Sequence, residues 1–157
     1  MWNPFGMELS QHELVRMAGE LEACNRTTER YGLSLSSEQI ENLLRQRSLA
    51  LKNTGRIEFG EGILKKLIFA FCDSPYITPK DYEDTLAELQ EIFYYFKNEA
   101  SEQLADDELI DGMESIFNGK AYGSLEYLAG TGLEELCRGK RFGMQEAVDD
   151  VLPEEDI

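Results

Sequence analysis

The chain has 157 residues, of which 42% are apolar and 29% charged, with 31 acids against 15 lysines and arginines and a net charge of −16. These are globular values, and the length suits one domain that buries a core without disulfide or metal staples. The acidity opposes nucleic acid and anionic lipid as partners, and the longest apolar run, Leu67–Cys72, is far shorter than the roughly 18–20 residues of a membrane span.

Charge is unevenly laid out. Segment 42–66 holds six bases (Arg45, Arg47, Lys52, Arg56, Lys65, Lys66) against two acids, Glu58 and Glu61. One basic stretch on an acidic body is a place for an anion or an acidic partner. The first eight residues lack the basic and apolar regions of a secretion signal. Cys24, Cys72 and Cys137 are odd in number, far apart and without a C-x-x-C pair. They read as reduced core thiols, and a cytoplasmic protein is expected.

The periodicity is helical almost throughout. Ser10 with Glu13 forms a capping box, and Leu14, Met17, Ala18, Leu21, Cys24 and Tyr31 then share a face up to the stop at Gly32. Ser36 with Gln39 forms a second box, opening a helix whose stripe is Ile40, Leu43, Leu44 and Leu51. The connector from Gly55 to Gly62 carries three glycines, and only Arg56–Phe59 could tolerate a strand. A third helix follows with Ile63, Leu64, Leu67, Ile68 and Phe71 on one side and Phe69 opposite, the pattern of a central helix.

Thr78-Pro79 with Asp81 marks the next start, and Tyr82, Leu86, Leu89, Phe93 and Phe96 hold a 4-3-4-3 spacing suited to bundle packing. Asp106 caps a shorter helix with Leu109, Ile110, Met113 and Phe117, closed by Gly119. Ser124 opens a last region, split at Gly130 and Gly132 with Thr131 as a fresh cap. The expectation is an all-α, single bundle-like domain of six to seven helices over residues 1–139, followed by a mobile acidic tail over 140–157.

Arg47 stands out. At 100° per residue from Ile40 it falls at about 340°, inside the apolar stripe. A buried, unpaired arginine costs several kcal/mol, so an internal carboxylate partner is expected. Snorkelling and an anion ligand are the alternatives. Gly55-x4-Gly60 has the first spacing of a phosphate loop, but Glu61-Gly62 replaces the required Lys-Ser/Thr. A turn needing positive φ is the simpler reading, and a weaker anion site with Arg56, Lys65 and Lys66 the alternative.

Glu88-x-x-Glu91 and Glu108-x-x-Asp111 look like the E-x-x-E…E-x-x-D pattern of the all-α nucleoside triphosphate pyrophosphohydrolases, in which acids on two helices hold Mg²⁺ against a triphosphate. Such pairs are common by chance among 31 acids. These four also fall opposite the apolar stripes, so only a homodimer would bury them. His12, the one histidine, falls on the outer side of its helix with no partner in sight. In Ile92–Phe96, Phe93 and Phe96 join the core stripe. Tyr94 and Tyr95 face elsewhere, either because the helix is central or because they form a contact surface.

Several phrases resemble one family when taken together: Arg30-Tyr-Gly-Leu33 with Leu35-Ser36, GRIEFGEGILKKLI at 55–68, CDSPY at 72–76, LQEIFYYFKN at 89–98 and SLEYL at 124–128. They are similar to small acidic all-helical proteins of anaerobic Gram-positive bacteria, a functionally uncharacterised family. The resemblance spans roughly residues 25–138 and implies a bacterial cytoplasmic setting, with no activity, cofactor or catalytic residue.

From the residues, the favoured function is a protein-interaction or regulatory module rather than an enzyme. It would use Arg45, Arg47, Arg56, Lys65, Lys66, Tyr94 and Tyr95 against another protein, with no cofactor. The Mg²⁺-dependent pyrophosphohydrolase is the first alternative. An acidic nucleic-acid mimic is the second.

Overall fold

The computed structural model describes residues 11–58, 62–100 and 104–136, with the side chains of 99 and 100 left aside. It is all-α, with no strand among the described residues. The chain divides into two compact units, Met1–Tyr94 and Tyr95–Ile157. The tail expected at 140–157, Cys137 and the Ser10 cap lie outside the described residues.

In the first unit, α1 (Gln11–Ala23) packs on α3 (Ser37–Thr54), with the short α2 (Asn25–Thr28) and a 3-10 turn, Glu29–Tyr31, between them. One continuous helix to Gly32 was expected, but the helix breaks at Cys24. The Asn25 side chain explains the break. It brackets the incoming strand-like chain at Leu35, donating from Nδ2 to the carbonyl at 3.0 Å and accepting the amide at 2.9 Å. The turned chain then leaves Tyr31 45% exposed, off the core face it was assigned. Gly32 does end the turn, in the left-handed region at φ 79°.

The capping box at Ser36 is formed from both sides: Gln39 N–H donates to Ser36 Oγ, and the Gln39 side chain accepts from the Ser36 amide. Helix α3 then runs to Gly55, a left-handed cap at φ 73°. The next helix, α4 (Ile63–Phe71), buries the whole predicted stripe, Ile63, Leu64, Leu67, Ile68 and Phe71. Phe69 on its other side is 40% exposed, so α4 covers the core from one side and is not central. Residues 56–58 carry no strand pairing.

A 3-10 turn at Pro79–Asp81 leads into α5 (Tyr82–Ala100). Proline stands at the first position as read, but the Thr78 side chain caps no backbone amide. Its hydroxyl donates to Asp81 Oδ2 at 3.4 Å instead. Tyr82, Leu86, Leu89 and Phe93 are all buried, so the 4-3-4 spacing does mark the core face.

The second unit holds the end of α5, then α6 (Asp106–Asn118) and α7 (Leu125–Tyr127), which widens into a π-helical turn at Leu128–Gly132. Ala105, not Asp106, is the N-cap of α6, and Glu108 accepts from its amide at 3.0 Å. Ser124 caps α7 by accepting from Tyr127 N–H at 3.1 Å. The expected break at Gly130–Gly132 does not occur, and residues 133–136 continue as helix. Close packing explains the glycine: a Cβ on Gly132 would stand 2.6 Å from Ile116 Cγ2 of α6.

Candidate functional site

The sequence of α3 places Arg47 among Leu43, Leu44 and Leu51, and the fold buries it to 1% exposure. Desolvating a guanidinium at that position requires an anion. Glu58 provides one from the non-helical stretch after Gly55. Arg47 Nε donates to Glu58 Oε1 at 3.3 Å, and Arg56 Nε donates to Oε2 at 2.9 Å. The Glu58 side chain is only 4% exposed. From α5, the Tyr94 hydroxyl donates to Oε1 at 2.9 Å. The guanidinium of Arg56 lies over the Phe93 ring, 5.8 Å from its centroid.

A fourth element closes on the same carboxylate. Gly62, the N-cap of α4, has φ 61°. A Cβ built on it would stand 1.9 Å from Glu58 Oε1 and 3.2 Å from Arg47 Nη2. The carboxylate therefore lies against the positive end of α4, where a helix favours negative charge. Burial, then the charge of Glu58 and the hydrogen bond to it, push the Tyr94 phenol well above its usual pKa, against the opposing pull of Arg47 and Arg56. Tyr94 stays a neutral donor throughout the physiological range.

The cluster ends a polar seam between α3 and α5. Asn42 donates to Glu83 Oε2 at 3.3 Å, Gln46 donates to the Ala87 carbonyl at 3.1 Å, and Gln90 Nε2 reaches both the Leu43 carbonyl (3.3 Å) and Gln46 Oε1 (3.0 Å). Gln90 is fully buried, and its Oε1 has no hydrogen-bond partner among the described residues. Sequence reasoning missed this seam, although its signal was present. Glu83, Ala87, Gln90 and Tyr94 repeat the 4-3-4 spacing of the core stripe one residue later.

The structure thus brings Arg47, Arg56 and Tyr94 together on Glu58. Arg45 and Lys65 make contacts elsewhere, and Lys66 is exposed on α4. Arg45 is exposed on α3 and donates to Asn42 Oδ1 at 2.9 Å, while Lys65 pairs with Glu20 across 3.7 Å. Tyr94 does not belong to a surface: it is 2% exposed, because the seam turns it inward to Glu58. Tyr95 is 57% exposed, and the contact surface expected of the pair reduces to it. The phosphate-loop comparison rested partly on Gly60 and Glu61, which lie outside the described residues.

Glu88, Glu91, Glu108 and Asp111 are each exposed. Among the described residues no group of three or more histidines, cysteines or acids could hold a metal ion. His12 is exposed, and Cys24 and Cys72 are buried thiols. An open groove of about 370 Å³ lies along Gly19, Glu22, Ala23, Asn25, Arg26 and Glu29, lined by no buried polar group. Among the described residues no helix is long and apolar enough to cross a membrane.

Residues 20–146 match a family model described as "Family of unknown function (DUF6323)". The chain belongs to that family. No curated protein and no solved structure matches it. The family match spans the Glu58 cluster, the α3–α5 seam and α6, so these features sit within the family's domain and not in an appended segment.

Proposed function

We propose that this member of the family is a bacterial, cytoplasmic protein-interaction module that docks an acidic protein partner on the outer face of α3. The observation that carries the reading is the arrangement of Arg45, Leu49 and Lys52 at i, i+4 and i+7, all exposed and within about 60° of one another on the helix. Leu49 is 58% exposed, and Ile57, just past the end of the helix, is 74% exposed. Two large aliphatic groups set among bases give an apolar centre with a charged rim, the composition of a small contact surface. On a chain of net charge −16, this rim attracts acids and the remainder repels them, so charge selects the docking face.

The test is Leu49→Asp combined with Lys52→Glu, both on the exposed face. Wild-type protein should retain one stoichiometric partner from source lysate at ~0.1 M salt, with reduced capture at ~0.5 M as screening shortens the reach of charge. The double variant should lose that partner while keeping its melting temperature. Capture unchanged by the double variant would refute this docking face.

A further inference from the structure

We infer that the acidic partner of the α3 face is a second copy of this chain, docked through the outer face of α5 about a twofold axis that runs along the α3–α5 seam. The inference rests on the docking face proposed above and names its occupant. Its basis is the way the seam sets two oppositely charged strips side by side. Asn42 reaches Glu83 and Gln46 reaches Ala87, each across 41 positions. The two helices therefore run parallel, and a residue of α3 stands level with the residue 41 positions later in α5.

On α3, Gln46 faces the seam. The buried Leu43 and Arg47 lie about 60–100° to one side of it, and the exposed Arg45, Leu49 and Lys52 about 60–120° to the other. On α5 the hand is reversed. Ala87 and Gln90 face the seam, with the buried Leu86 and Leu89 on one side of them and the exposed Asp84, Glu88 and Glu91 on the other. Parallel helices with a seam between them and a core beneath both present their outer faces as neighbours. One strip carries two bases around a leucine, and the strip beside it carries three acids.

Such a pair of strips is complementary to itself. Turning a second copy over about an axis along the seam lays its acidic strip on the basic strip of the first, and every contact is made twice. Levels are kept along that axis. Arg45, level with Leu86, faces Asp84 and Glu88 of the second copy, and Lys52, level with Phe93, faces its Glu91. Leu49 leans toward the seam and so toward the axis, where the two copies of it meet as an apolar centre inside a charged rim. Glu38, level with Pro79, stands beside the exposed Lys80 of the second copy. Glu41, one turn before Arg45, is a like-charge mismatch that weakens the pairing. Elsewhere two chains of net charge −16 repel each other, so charge favours this one orientation.

The experiment is sedimentation velocity on the full chain over a range of concentrations at ~0.15 M salt. Wild type should show a concentration-dependent monomer–dimer equilibrium. Arg45→Glu with Lys52→Glu, and separately Glu88→Lys with Glu91→Lys, should each raise the dimer dissociation constant by at least about a hundredfold, because like charges then face each other. The second variant carries a smaller net charge than wild type, so a general easing of repulsion would tighten its association, and only specific pairing predicts the loss. An equimolar mixture of the two variants should restore a one-to-one dimer, and the chain with all four substitutions should dimerise as wild type does. Restoration also shows that neither variant has lost its fold. A wild type that is monomeric throughout, a dimer indifferent to either pair of substitutions, or a mixture that does not associate overturns the inference. A monomeric wild type that still captures a lysate partner through Leu49 and Lys52 would remove the second copy as occupant and leave the docking face standing.

Discussion

Arg47 of α3 and Tyr94 of α5 meet on a single atom: both donate to Glu58 Oε1, at 3.3 and 2.9 Å. Neither residue belongs to the stretch that carries the acceptor. Two helices are thus fastened to the non-helical chain after Gly55 by one carboxylate oxygen, in surroundings where water does not replace a lost partner.

The losses from removing the two members should therefore not add. Glu58→Gln removes the buried charge that Arg47 and Arg56 share and should destabilise the chain by about 3–5 kcal/mol. Arg47→Met should cost somewhat less, since Arg56 and Tyr94 still hold the carboxylate. The double variant should be less destabilised than the sum of the singles, because it removes both charges from the interior together. Urea denaturation of the four chains gives the coupling directly, and additive losses would mean that the pair is energetically independent.

The Tyr94 phenol gives the fold an alkaline limit. Its pKa is raised in the folded state, chiefly by burial and next by Glu58. The protonated form is thus favoured by folding. That contribution is complete below the unfolded phenol value near 10 and declines as pH rises above it toward the higher folded value. Tyr82 behaves likewise, with burial the main cause and Cys72 the next. Stability should be insensitive to these groups at neutral pH and fall above about pH 10, by up to about 1.4 kcal/mol per pH unit for each tyrosine. Tyr94→Phe should make that alkaline decline shallower without changing its onset. An identical slope in the variant would show that Tyr94 titrates normally.

Three glycines in the first unit separate strain from contact. Gly19 lies inside α1 with nothing within 4 Å of a Cβ position, so Gly19→Ala should stabilise by about 1 kcal/mol. Gly55, at φ 73° with equally open space, should lose about 1 kcal/mol as alanine through backbone strain alone. Gly62 combines φ 61° with a Cβ position 1.9 Å from Glu58 Oε1. That oxygen ends a flexible side chain and would normally move aside. Here Arg47 and Tyr94 hold it, so Gly62→Ala should cost about 3 kcal/mol or more. Chemical denaturation of the three variants should rank them in this order, and equal losses at Gly55 and Gly62 would show that Glu58 gives way.

Much of the fold was legible because apolar spacing and caps are local signals. Leu86, Leu89 and Phe93 are fully buried where their spacing puts them, and Ser36 with Gln39 closes the expected box. The errors came from long-range contacts. The first helix breaks because Asn25 grips Leu35, and α7 runs on past Gly130 because Gly132 admits Ile116. At the site, the position of Arg47 in a leucine stripe announced a buried charge and a carboxylate partner. Glu58 could not be named, since eleven residues and a chain reversal separate the pair. Whether Tyr94 faced inward or outward stayed open, because its hydroxyl bonds to Glu58, 36 positions away in the sequence.

The α3–α5 seam yields the last prediction. Gln90 donates twice from Nε2, yet its buried Oε1 has no hydrogen-bond partner among the described residues. An unsatisfied buried acceptor carries a desolvation penalty of about 1–3 kcal/mol, which offsets what the two donated bonds contribute. Gln90→Met keeps the volume and removes both the bonds and the orphaned acceptor. It should therefore change stability by less than about 1 kcal/mol in either direction. Gln46→Met should cost more than Gln90→Met, because it removes the bond to the Ala87 carbonyl and leaves Gln90 Nε2 with one acceptor fewer. The two variants in urea separate the possibilities. A Gln90→Met loss above about 2 kcal/mol would mean that Oε1 is satisfied in solution, by a buried water for instance, and that the seam is a complete hydrogen-bonded network.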